Sequence, residues 1–180
     1  MKKAALLAAT ILALAPRPAI CDVADSSASG FTLKTTVQIQ ATPAEVYRKL
    51  VFNVGDWWDS HHTFSGNSHN LTLESKAQGC FCEKLPDQGG VRHMEVVMAA
   101  PGGKLVLLGG LGPLQGLAVT GVMTFQLTAS PDGAKLDVTY AVGGYLPTGL
   151  NAFAKPVDGV LTGQIARLKN FVEHGSPDPK

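Results

Sequence analysis

The stretch Phe31–Val46, FTLKTTVQIQATPAEV, decides the fold, because it predicts a strand that leads directly into a helix. Its first nine residues place apolar side chains or Thr at alternate positions, which is the pattern of a half-buried strand. Thr42 then stands at an N-cap position, Pro43 at the first helical position and Glu45 at the third, as in a capping box. We expect the helix to end before Asn53.

The residues before this stretch have the pattern of a secretory signal peptide. A positive n-region precedes Ala4–Ala15, an apolar run of 12 residues that is too short to span a bilayer. Ala19 and Cys21 offer small residues at the minus-three and minus-one positions, so cleavage is expected before Asp22. The alternative is lipidation of Cys21, but Ile20 stands where a lipobox needs a small residue. The sequence therefore predicts a periplasmic or secreted protein with no stable membrane insertion after cleavage.

The composition favours one globular domain that does not bind nucleic acid. Only 16% of the 180 residues are charged, against a usual share of about 25%, and the net charge is +1. Loss of residues 1–21 with their three cations would make the net charge −2. No run of Lys and Arg could follow a phosphate backbone. We expect a single domain over residues 31–174, between a flexible lead (22–30) and a disordered tail (175–180).

Short strands follow the first helix at regular spacing. A second short helix is expected over 55–59 and a long loop over 60–69. Six strands are then expected over 70–75, 80–85, 91–99, 104–109, 119–129 and 135–142, because hairpin-turn residues separate most of them. This pattern predicts a meander of antiparallel strands.

From Leu150 the apolar period becomes that of an amphipathic helix of about five turns. Pro156 marks either the start of this helix or a kink in it. We expect the helix to cover one face of the sheet, because no other element is large enough to do so.

Several segments together carry a resemblance to a known family: residues 41–46, 57–59, 79–83 with 86–87, 110–114, and 157–161 with 167–168. On these segments the chain resembles the START-like helix-grip superfamily, also called SRPBCC, with its polyketide cyclase-like and heat-shock-protein ATPase-activator-like branches. The resemblance implies an α+β fold in which a curved antiparallel sheet wraps around the C-terminal helix. It also implies two short helices between the first two strands and an internal hydrophobic cavity.

The cavity would contain the functional residues, and strand phase indicates which side chains line it. If the hairpin near residue 88 is symmetric, Glu83 lies opposite His93 and Phe81 lies opposite Glu95, on the face that carries Phe81 and other apolar residues. The functional interpretation makes Glu83 a general base or hydrogen-bond anchor, with His93 as its partner. The alternatives are a structural buried pair, or an outward pair if a bulge at residues 80–82 shifts the register.

Other candidates carry weaker signals. Trp57 and Trp58 could cover the cavity mouth or belong to the core, and Tyr145 could supply a phenol at the rim or anchor a turn. We expect no metal site, because His61 and His62 are adjacent and would need distant ligands.

Cys80 and Cys82 share a face of one predicted strand, where a disulfide between them would be strained. They are interpreted as two small side chains, and the alternative is a labile redox pair.

The apolar inward positions favour a binding or carrier domain for a hydrophobic small molecule with no cofactor, and the resemblance implies a lipid or polyketide-like ligand. The alternative is a cyclase or hydratase-type enzyme that uses Glu83 and His93 on such a ligand. A protein-binding regulator is a third possibility. Fold analogy alone leaves the choice open.

Overall fold

A computed structural model describes residues 20–178. The strands are β1 Ile20–Ser27, β2 Gly30–Ile39, β3 Leu71–Leu73, β4 Cys80–Lys84, β5 Gly90–Ala100, β6 Lys104–Leu108, β7 Ala118–Ser130 and β8 Gly133–Tyr145. The helices are α1 Pro43–Phe52, α2 Val54–Trp57 and α3 Asn151–His174, with short 3₁₀ turns at Ser60–His62, Ser68–Asn70 and Gly112–Gly116.

The strands form one open antiparallel sheet in the order β1-β2-β8-β7-β6-β5-β4-β3. α1 and α2 connect β2 to β3, and α3 follows the last strand. This arrangement confirms the expected α+β class, with short helices after the first predicted strand and a long C-terminal helix.

The core lies between the inward face of the sheet and the helices. The inward positions of β2, from Phe31 to Ile39, are all buried, as predicted. α3 runs without interruption through Pro156, so this proline lies inside the helix and not at its start. Its buried residues are Ala154, Leu161, Gln164, Ile165, Leu168 and Val172. No helix in the part of the chain that the structure describes is long and apolar enough to cross a membrane.

The segment predicted as a flexible lead is a strand in the structure. β1 pairs antiparallel with β2, with Asp22 opposite Lys34 and Ser27 opposite Gly30. The turn between them is fixed by the Leu150 amide, which donates to the carbonyl of Ala28. Backbone pairing holds this strand, and its Ser-rich sequence lacks the apolar alternation that would have revealed it. The predicted signal peptide lies outside the described residues, except for its last two positions, which belong to β1.

The predicted disordered tail is ordered as far as residue 178. α3 ends at a left-handed C-cap, Gly175, with φ of 75°. The Asn170 side chain then donates to the carbonyl of Pro177 at 3.2 Å, and Arg167 pairs with Asp178. These contacts fold the tail back onto α3.

The N-cap of α1 gives a first testable prediction. Thr42 Oγ1 accepts a hydrogen bond from the Glu45 amide at 3.3 Å, as the sequence predicts. We expect Thr42→Ala to lower the free energy of unfolding by about 1 kcal/mol, since it leaves that amide without its acceptor. Urea denaturation measures the change, and Thr42→Ser, which keeps the hydroxyl, should stay close to wild type. Equal losses in both variants would contradict the capping role.

Candidate functional site

The hairpin of β4 and β5 brings Glu83 and His93 together, but not through the expected register. Glu83 lies opposite Val91 and Phe81 opposite Met94, and the register shifts between Phe81 and Cys82. The shift leaves His93 as the extra residue of a bulge in β5. The predicted symmetric pairing, with Glu83 directly opposite His93, is therefore wrong. The bulge turns both His93 and Met94 inward, so His93 still reaches the carboxylate.

The Glu83 carboxylate, at the inner face of β4, accepts three hydrogen bonds. Its Oε1 accepts from the Ser65 amide at 2.5 Å, and its Oε2 accepts from the Phe64 amide at 3.1 Å. His93 Nε2 lies 2.9 Å from the same Oε2. The Glu83 side chain has no exposed surface. The carboxylate therefore holds the loop after the first 3₁₀ turn and the imidazole at once.

His93 is oriented by this carboxylate and by two aromatic rings. Its ring lies 5.1 Å from the ring of Phe81 and stacks on that of Phe64 at 5.9 Å, measured between centroids. The Glu83 carboxylate accepts a hydrogen bond from Nε2, so the neutral imidazole carries its proton on that nitrogen. Nδ1 is then an acceptor, and no described residue donates to it. The arrangement presents a neutral, oriented base.

The two groups have shifted pKa values. Burial lowers the pKa of His93 below its ordinary 6.5, and the nearby Glu83 carboxylate offsets this only in part. Burial also acts to raise the pKa of Glu83, but hydrogen bonds from Ser65, Phe64 and His93 outweigh it and hold this pKa below 4.5. A neutral imidazole beside an ionised carboxylate is the result at neutral pH.

These shifts predict how stability depends on pH. The unfolded chain binds a proton at His93 before the folded protein does, so the free energy of unfolding should fall as the pH drops below 6.5. The free energy of unfolding should fall further below pH 4.5, because Glu83 takes up a proton in the unfolded chain at a higher pH than in the folded protein. Urea denaturation at a series of pH values checks this. His93→Gln should have a smaller loss between pH 7 and pH 5, and equal losses in both proteins would contradict the assignment.

A solvent-open cavity of about 490 Å³ adjoins His93. β6 pairs with β5 only from Glu95 onward, so the segment Gly90–Met94 has no strand on that side. This segment lines one wall, and the others come from Leu108–Gly110, Gln115, Val119 and Thr120. The position differs from the expected one, because no residue of α3 lines this cavity. The surface that its walls present is mostly polar, and backbone groups, Arg92 and Gln115 belong to it.

The other predicted site residues have different outcomes. Trp58 and Phe81 belong to the aromatic cluster at His93, since their rings are 5.5 Å apart. Trp57 is 1% exposed and donates from Nε1 to the Leu50 carbonyl at 3.3 Å, so it is a core residue. Tyr145 is 71% exposed at the end of β8 and does not line the cavity.

Cys80 and Cys82 form a disulfide, so their interpretation as two separate small side chains is wrong. Their Cα atoms are 5.3 Å apart, which lies within the usual range for a disulfide. Fully extended strand geometry, assumed in the sequence argument, would place them about 6.6 Å apart.

Three contributors could not be found from the sequence. The amides of Phe64 and Ser65 act through their backbone, so no residue type signals them. Tyr140 is fully buried, and its hydroxyl accepts from the Leu111 amide and donates to the Gly109 carbonyl. Burial raises the pKa of Tyr140 to about 12. This phenol fixes the loop that forms one wall of the cavity.

Two of the three histidines in the 60–69 segment each pair with one carboxylate. His61 Nδ1 lies 2.9 Å from Asp59, and His69 Nδ1 lies 3.7 Å from Asp56. Within residues 20–178, no three His, Cys, Asp or Glu side chains come close enough to hold a metal ion.

No protein-family model and no curated protein matches the chain. Solved structures are similar to it. A conserved protein of unknown function from Enterococcus faecalis has a TM-score of 0.60 at 17% identity, covering 90% of this chain and 80% of its own. An uncharacterised protein from Rhizobium leguminosarum has a TM-score of 0.58 at 17% identity, with coverage of 87% and 98%. A protein from Staphylococcus saprophyticus has a TM-score of 0.55 at 13% identity, with coverage of 81% and 93%. These likenesses are compatible with a helix-grip fold and show the fold alone.

Proposed function

We propose that this protein is an exported START-like domain that binds a hydrophobic small molecule in the cavity beside His93. The ligand class is lipid-like or polyketide-like, with an apolar body and one hydroxyl or phenol. The apolar body packs on Val91, Leu108 and Val119. The hydroxyl donates to Nδ1 of His93. No cofactor takes part in this binding.

The orientation of His93 carries the proposal. An imidazole that keeps one ring nitrogen without a protein partner offers a free acceptor, and a ligand hydroxyl would satisfy it. Glu83 holds the other nitrogen at 2.9 Å, so the acceptor is fixed before the ligand arrives. The pre-formed geometry lowers the entropy cost of binding. Export is supported by the leader-like sequence and by the disulfide, which is a bond of oxidising compartments.

A pair of matched ligands tests the binding. We expect 2-naphthol to bind with a Kd of about 10 µM, which the burial of a few hundred Å² of apolar surface can supply after the cost of association. 2-Methoxynaphthalene keeps the rings but cannot donate, so it should bind about tenfold more weakly. Isothermal titration calorimetry measures both.

His93→Gln is the matched variant for this test. Its amide nitrogen can still donate to Glu83, but the ring acceptor at Nδ1 is replaced by an amide oxygen in a different position. We expect the preference for 2-naphthol over its methyl ether to disappear in this variant. Equal affinities of the two ligands for the wild type would refute the role of Nδ1, and absence of binding by both would refute the cavity as a ligand site.

The second candidate function is an acid–base enzyme of the cyclase or hydratase type. The observation that favours it is the Glu83–His93 pair, in which a carboxylate orients a neutral imidazole. The sequence indicates Glu83 as a general base or hydrogen-bond anchor, but its oxygens already accept three hydrogen bonds. His93 would therefore take the proton from the substrate.

Recovery of the bound molecule separates the two functions. The protein is isolated from its own cells, and the small molecule is extracted, identified and added back to the purified protein. A carrier returns it unchanged. An enzyme converts it, and His93→Gln then abolishes the conversion.

A further inference from the structure

The disulfide between Cys80 and Cys82 lies on the outward face of β4. Both cysteines are half-buried, whereas their neighbours Phe81 and Glu83 point inward and are buried. The bond encloses a single residue, so it removes little entropy from the unfolded chain. Stabilisation of the fold therefore does not account for it.

The charges around the two sulfur atoms differ. On β5, Arg92 lies opposite Cys82 and Glu95 lies opposite Cys80, on the same outward face. Arg92 and Glu95 form an ion pair at 3.1 Å, and Glu74, which accepts from the Cys80 amide at 3.4 Å, is paired with Lys76 at 3.5 Å. A cation stabilises a thiolate and a carboxylate destabilises one. After opening of the bond, Cys82 is therefore the better thiolate.

The same strand segment holds His93 from the inside. Phe81, between the two cysteines, contacts the imidazole, and Glu83, next to Cys82, accepts a hydrogen bond from its Nε2. The bulge that presents His93 lies opposite the Phe81–Cys82 step. The Cα atoms of the two cysteines are 5.3 Å apart, and a regular strand would separate them by about 6.6 Å. An extension of the Cys80–Cys82 segment after the bond opens would move both contacts of His93.

We propose that Cys80–Cys82 is a thiol–disulfide exchange site, and that its redox state sets the position of His93. An incoming thiolate attacks Sγ of Cys80, the bond between the two cysteines breaks, and Cys82 leaves as the thiolate. A second thiol attacks the added sulfur of the mixed disulfide and releases Cys80 as a thiol. In total, two external thiols give up two electrons and become one disulfide, and the protein disulfide takes up these electrons and becomes two thiols. Only the link to ligand binding rests on the proposed function.

Trapping the mixed disulfide tests the exchange. The full chain with Cys21→Ser is treated with reduced glutathione, quenched with iodoacetamide and analysed by peptide mass spectrometry. We expect glutathione on Cys80 and the alkyl group on Cys82, with at least about a tenfold preference for this arrangement. Arg92→Gln should reduce the preference, and Arg48→Gln, an exposed arginine of α1, should not. Equal adducts on both cysteines, or no adduct, would overturn the exchange site.

Imidazole NMR tests the link to His93. Spectra are compared for the oxidised protein, the reduced protein and the double variant Cys80→Ser/Cys82→Ser. We expect the His93 signals to move on reduction and in the variant, while those of the exposed His61 stay in place. Unchanged His93 signals would overturn the link, and loss of far-ultraviolet circular dichroism on reduction would overturn it in favour of a structural bond. The naphthol titration uses the oxidised protein, so its outcome is independent of these results.

Discussion

Replacing Glu83 by Ala is expected to lower the free energy of unfolding by about 3–5 kcal/mol. The carboxylate is buried and accepts from the Phe64 and Ser65 amides and from His93. Its removal leaves two part-buried amides and a buried imidazole N–H without their acceptor, and a buried unpaired donor costs about 1–3 kcal/mol. Urea denaturation at pH 7 measures the loss.

Glu95→Ala is the matched control for this prediction. Glu95 lies on the neighbouring strand and pairs with Arg92 at 3.1 Å, but both side chains are exposed by more than a third. Such a pair contributes at most about 1 kcal/mol. If Glu83→Ala destabilised the protein no more than Glu95→Ala, the three hydrogen bonds at Glu83 would not hold this part of the fold together.

Gly109→Ala is expected to have the second largest effect, a loss of about 2–4 kcal/mol in unfolding free energy together with loss of naphthol binding. Gly109 has a φ of 151°, which a side chain disfavours. An added Cβ would lie 2.6 Å from the carbonyl oxygen of His93 and 3.0 Å from the Cα of Met94. These backbone atoms belong to the cavity wall, so they cannot move away without deforming it.

Gly116→Ala, in the same loop, provides the comparison. A Cβ at Gly116 would meet no atom within 4 Å, and this glycine is exposed. Its unfolding free energy and its affinity for 2-naphthol should stay close to those of the wild type. Similar losses in both variants would mean that general flexibility of the loop, and not the close approach at Gly109, sets the effect.

Local patterns in the sequence were sufficient to predict most of the fold. The alternation from Phe31 to Ile39 and the cap at Thr42 depend only on neighbouring residues, and both are present in the structure. β1 could not be predicted in the same way, because its pairing with β2 depends on backbone groups that every residue has. Polar strands of this kind carry no periodic signal.

The candidate site was predictable only in part, for a similar reason. A carboxylate and an imidazole on adjacent strands predicted the Glu83–His93 pair. Their actual contact depends on the bulge at His93, and no residue type near it indicates a bulge. The cavity depends on where β6 stops pairing with β5, which is a property of the whole sheet. The contributions of the Phe64 and Ser65 amides come from a loop that only the folded chain places over Glu83.

Imidazole ¹⁵N NMR of His93 at neutral pH, before and after saturation with 2-naphthol, tests the central claim most directly. The account predicts a neutral ring with its proton on Nε2 in the free protein. On saturation the Nδ1 resonance should shift as this nitrogen accepts a hydrogen bond, while the proton stays on Nε2. A free imidazole protonated at Nδ1, or an Nδ1 resonance that does not move while 2-naphthol binds, would contradict it.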